Sequence, residues 1–98
     1  MDRDTDVVSQ LERLLSVERV AIIALDGEAV DALAITKERL FGELRHLDTA
    51  KLERQRMRQI LEAARRNVLL LAHARELTRA AIESVTAERR GLRVSVTG

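Results

Sequence analysis

The sequence predicts an all-α protein: an elongated three-helix hairpin bundle with coiled-coil-like packing and a long C-terminal helix. Composition is the first reason. The 98 residues include no Pro, Trp or Tyr, and Phe41 is the single aromatic side chain. A sheet protein normally draws on aromatic residues and turn-forming Gly or Pro, whereas Ala, Leu, Arg and Glu, the strongest helix formers, dominate here. Hydrophobic periodicity at offsets of three and four is the second reason. The third is Thr49–Arg90, which contains neither glycine nor proline. A helix over that stretch would be about 60 Å long at roughly 1.5 Å per residue, longer than a compact domain of this size is wide. It must lie along partner helices or stand out from its own body.

The first helix is expected over about residues 5–25. Asp2, Asp4, Thr5 and Asp6 form an acidic, cap-rich start. Val7, Val8, Leu11, Leu14, Leu15, Val17, Ala21, Ile22 and Leu25 then keep the helical period. Asp26-Gly27 punctuates the pattern, and the sequence leaves open whether the first two helices are separate or run on through it. The second helix is expected over about 28–47, with a stripe at Val30, Leu33, Leu40, Leu44 and Leu47 flanked by Phe41. Lys37 occupies an otherwise apolar position of that stripe. Gly42 costs the helix about 1 kcal/mol relative to Ala, so it is expected to permit a close approach or a bend.

Asp48-Thr49 reads as the N-cap of the third helix, expected over about 49–90. One stripe includes Leu52, Gln59/Ile60, Ala63, Leu70, Ala74, Leu77, Ala81 and Val85, with Asn67 among them. A neighbouring stripe includes Met57, Leu61, Ala64, Val68, Leu71, Thr78 and Ile82. Two adjacent stripes predict a wide apolar face touching both other helices. Asn67 reads as a buried amide that fixes register, in preference to a direct partner contact. The segment Lys51–Arg58 has few apolar positions and is expected to be solvated or to project. Gly91 is expected to end the helix, making residues 91–98 a flexible tail and residues 1–90 the bundle. Leu92, Val94 and Val96 are read equally as a frayed end or a docking strip.

Charge is lopsided beneath a net value of +1. Residues 1–50 carry eleven acidic and six basic side chains, and residues 51–98 carry five acidic and eleven basic ones. Oppositely charged helices packing side by side explain this better than a nucleic-acid surface. Arg54, Arg56, Arg58, Arg65 and Arg66 spread around the helical cylinder, Glu53 and Glu62 interrupt them, and no aromatic residues interleave for base stacking. No nucleic-acid partner is therefore expected. Apolar runs such as Val20–Leu25 and Val68–Ala72 are too short for membrane insertion, and the acidic N-terminus is unlike a signal peptide. A cytoplasmic location is the resulting expectation.

Chemistry-bearing groups are scarce. The absence of cysteine removes disulfides and thiolate metal sites. His73 and Glu76 share one helix at i and i+3, but a carboxylate-bundle metal site needs further inward-facing carboxylates. Glu12, Glu18, Glu38 and Glu43 alternate with basic residues and read as surface positions. There is no Gly-rich phosphate loop, and no serine has a base in helical register. No enzyme activity, catalytic residue, metal or cofactor is expected.

What remains is a surface. Leu70, Leu71, Ala74, Leu77, Thr78, Ala81, Ile82 and Val85, in the C-terminal half of the long helix, are the candidate partner-binding residues. A partner helix can bury an apolar stripe in a groove beside such a helix. Three segments add a resemblance. They are Ala24–Leu33 (Ala-Leu-Asp-Gly-Glu-Ala-Val-Asp-Ala-Leu), Thr36–Leu40 with Leu44 and Leu47, and the long helix with its Asn67. Over roughly residues 7–90 the chain resembles the FlgN-like family of flagellar type III export chaperones. Members often carry a tyrosine in a Gly-containing tail, which this chain lacks. The resemblance implies a small chaperone that binds a helical C-terminal segment of a hook-filament junction protein, keeps it from assembling early and delivers it to the export apparatus. The alternative is a homodimeric coiled-coil structural or adaptor protein unrelated to export.

Overall fold

The computed structural model describes the backbone of residues 3–47 and 53–97 and the side chains of residues 6–47 and 53–91. It has three helices: α1 (Arg3–Ile23), α2 (Gly27–Arg45) and α3 (Arg54–Thr97). The bundle predicted from sequence is present. α1 packs against both other helices, whereas α2 and α3 make no backbone contact with each other among the described residues. The order of contacts gives the directions. Arg56 meets Ser9 and Glu12, and Asn67 meets Leu15 and Glu18, so α3 runs parallel to α1. Lys37 meets Glu18 from an antiparallel α2.

The break between α1 and α2 follows from local backbone chemistry. Asp26 N–H donates to Ala21 O at 2.9 Å and Leu25 N–H donates to Ile22 O at 3.0 Å. That is the paired-bond pattern of a Schellman helix end. The left-handed position it requires is filled by Leu25, at φ 57°, a conformation that disfavours a side chain. Asp26 then caps α2, its Oδ1 accepting from Ala29 N–H at 3.1 Å. Asp26-Gly27 thus separates two helices, with Gly27 as the first helical residue rather than the turn residue.

Two apolar clusters form the core. At one end Val7, Val8, Leu11, Leu14 and Leu15 of α1 enclose Leu40 and Leu44 of α2 and Ile60 of α3. At the α1–α2 turn, Ala21, Ile22 and Val30 form a smaller cluster, against which Leu70, Leu71 and Ala74 pack. Between them sits a polar layer. Glu18 and Asn67 are only 2% and 3% exposed. Asn67 Nδ2 donates to Glu18 Oε1 and to Leu15 O, both at 2.9 Å. Lys37 Nζ reaches Glu18 Oε2 at 2.6 Å. One residue from each helix therefore meets at a single level, as expected of a buried amide that fixes register.

Several sequence expectations change. Glu18 is buried rather than at the surface, because it continues the inward series Leu11, Leu14, Leu15 toward Ala21 and Ile22. The start of α3 neither projects nor stands fully solvated: Arg56 and Met57 are half-buried and Ile60 is buried. Arg56 is tied to Glu12 through Nε at 2.8 Å and through Nη2, which also donates to Ser9 Oγ at 3.1 Å. Gly42 permits no close approach, since a Cβ there would meet nothing within 4 Å. α3 also continues through Gly91 to Thr97 instead of ending there. The expected cap at Asp48-Thr49 and the stripe position Leu52 lie outside the described residues, as do the side chains of Leu92, Val94 and Val96.

Candidate docking surface

α3 has 44 residues against 21 for α1 and 19 for α2. At about 1.5 Å per residue it is roughly 66 Å long and the shorter helices roughly 30 Å. The molecule accordingly measures 71 × 22 × 18 Å. Because α3 starts beside the N-terminal part of α1, its second half overhangs the α1–α2 turn.

The line of α3 that faces α1 continues along this overhang with no other described residue covering it. Ile60, Ala63, Asn67, Leu70, Leu71 and Ala74 are buried or half-buried against the hairpin. From Leu77 onward every described residue is exposed, including Leu77 at 55%, Ile82 at 62% and Val85 at 48%. The eight candidate residues therefore divide. Leu70, Leu71 and Ala74 help to hold the hairpin, and Leu77, Thr78, Ala81, Ile82 and Val85 lie open on the overhang.

Where the two groups meet, an open groove of about 710 Å³ runs between α3 and the α1–α2 turn. Ala21, Ile22, Val30, Leu71, Ala74 and Ile82 contribute its apolar lining. Thr78 also lines it, with its hydroxyl already donating to Ala74 O at 2.9 Å, so it presents no unmet polar demand. Periodicity located the α3 side of this groove. It did not locate the opposite wall, Leu25 to Asp31, which exists only because the chain reverses there. The helix-break signal at Asp26-Gly27 was the clue available.

The remaining candidates are dispersed. His73 is exposed, and Glu76 pairs with Arg79 on the same helix. No group of three or more His, Asp or Glu able to hold a metal occurs among the described residues. Arg54, Arg58, Arg65 and Arg66 are exposed on α3, whereas Arg56 is engaged with α1. No described helix is long and apolar enough to cross a membrane.

The architecture is an all-α bundle whose longest helix overhangs its own core. No family model, curated protein or solved structure matches the chain.

Proposed function

We propose that this protein is a helix-binding chaperone that seats an amphipathic segment of a partner in the groove and along the overhang of α3. In the form its sequence resembles, the segment is the C-terminal helix of an exported hook-filament junction protein, and the complex goes on to the export apparatus. One observation carries the docking reading: the apolar line of α3 leaves the hairpin core and continues, exposed, for several turns. Area supports it. A compact monomer of 11.0 kDa exposes about 5,600 Å², whereas this chain exposes 7816 Å². The excess of about 2,200 Å² is more than the roughly 800 Å² that one partner contributes to a standard-size specific interface.

The test is titration of a labelled C-terminal helical peptide from a hook-filament junction protein, followed by fluorescence anisotropy. Saturable binding at one peptide per chain is expected, with binding lost when Leu77 and Ile82 are both replaced by Asp. No binding would remove the export reading.

A second reading has its own support. Leu71, Ala74, Thr78, Ala81 and Val85 follow offsets of three and four in strict alternation, the spacing of a coiled-coil seam. Under that reading a second copy covers the overhang. Light scattering would then show a tight dimer whose mass and melting temperature ignore the peptide.

A further inference from the structure

The groove is charged differently on its two sides. Asp26 and Asp31 stand on the wall formed by the α1–α2 turn, and Arg75 and Arg79 stand on the α3 side. All four are exposed, with Arg79 also pairing with Glu76 along α3 and Asp26 Oδ1 also capping α2. Glu83 closes the α3 side at the overhanging end, where the groove opens out. From Leu71 to Glu83 the α3 side spans about 18 Å at roughly 1.5 Å per residue, a little over three helical turns. Beyond Ile82 the apolar surface runs on to Val85, so a compact molecule seated in the groove would leave that end uncovered.

Resting on the helix-docking reading above, we propose that the groove takes an amphipathic helix whose two flanks carry opposite charge. Lys or Arg on one flank faces Asp26 and Asp31, and Asp or Glu on the other faces Arg75 and Arg79. The apolar stripe between the flanks sits over Leu25, Leu71, Ala74 and Ile82, with Ile22 and Val30 as the buried floor beneath. The charges act as a selection rule and also set direction. A helix turned end for end exchanges its flanks, so one flank order admits one orientation.

Three synthetic helical peptides with an identical Leu/Ala face test this. One carries Lys on one flank and Glu on the other, one carries Lys on both, and one carries Glu on both. Anisotropy titrations use fluorophore-labelled peptides and the unlabelled full chain, which has no Trp or Tyr of its own. The mixed peptide should bind about five- to ten-fold more tightly than either other peptide in about 20 mM salt, with the advantage shrinking by about 150 mM as screening shortens. Replacing Arg75→Glu and Arg79→Glu makes both sides acidic and should transfer the preference to the Lys/Lys peptide. Asp31→Lys should move it toward Glu/Glu, and circular dichroism checks that both variants fold. Equal binding of all three peptides to the wild-type chain overturns the charge rule while leaving helix docking intact. If none binds, the docking reading falls with it, and a dimer by light scattering in that case assigns the face to a second copy.

Discussion

The layer at Glu18, Lys37 and Asn67 holds the three helices in one register, and its balance depends on all three residues being present. Removing Lys37 leaves a buried carboxylate with Asn67 alone. Breaking a fully buried pair costs about 3–5 kcal/mol. Lys37 retains 29% exposure, so Lys37→Met should cost about 2–3 kcal/mol on that scale. Replacing the layer with Glu18→Leu, Lys37→Met and Asn67→Leu together should return stability to within about 1 kcal/mol of wild type or above it. Urea unfolding midpoints decide the matter, and a harmless single Lys37 variant would show that the layer is not coupled. Asn67 and Lys37 were legible in the sequence as polar residues on apolar stripes. Glu18 was not, because its neighbour Arg19 made the pair look like surface charge. Its spacing from Leu14, Leu15, Ala21 and Ile22 was the signal. Leu25 was illegible for a different reason: a leucine in a helical period carries no mark of a left-handed backbone. Since it is 64% exposed at φ 57°, Leu25→Gly should raise stability by about 1 kcal/mol, the strain of that conformation. A lowered melting temperature would mean that its side chain contributes more to the groove than to the strain.

At the level of elements, the lengths of α1 and α2 were close to their periodic stripes, while the ends of α3 were not. A glycine near the end of a helical pattern reads as a stop, yet nothing at Gly91 prevents a helix from continuing. In the division of α3 only the start, expected to be solvated or to project, departs from the sequence expectation. Its charged start is anchored because Arg56 bonds to Glu12 and Ser9 and Ile60 enters the core. Its richer apolar part overhangs because α1 and α2 are too short to reach it. Propensity and period describe a helix, but the partner's length decides which part is covered. Hydrogen exchange should report this as a gradient. Amides around Ile60 to Ala74 should exchange only on global unfolding, and those of Ser84–Arg90 should exchange orders of magnitude faster, since an unpacked helix of this length is marginal in water. Uniform protection along α3 would place an unseen cover over the overhang. α2 offers a simpler check. Gly42 lies in its interior with open space where a Cβ would stand, so Gly42→Ala should stabilise the chain by about 0.5–1 kcal/mol. A loss in thermal denaturation would mean that another chain approaches there.

At the scale of the whole molecule, shape separates the ways in which the exposed line of α3 can be satisfied. A compact chain of 98 residues has a radius of gyration of about 13 Å, against 19.9 Å here. The difference comes from α3 extending past a hairpin less than half its length. No described residue beyond Glu83 takes part in either core cluster, so the overhang adds surface without adding to the core. Deleting residues 84–98 should therefore leave the unfolding free energy within about 0.5 kcal/mol of the full chain, the range for changes away from packed features. The same deletion should weaken any helix that docks along the overhang. Small-angle scattering supplies the complementary measurement. A monomer with α3 extended should give a value close to 19.9 Å, and a bound peptide should thicken the cross-section with little change in maximum dimension. Two copies joined antiparallel through their overhangs should instead lengthen the particle and double its mass. A monomer near about 13 Å would show that α3 folds back on the hairpin in solution, and would remove the exposed line on which the docking reading depends.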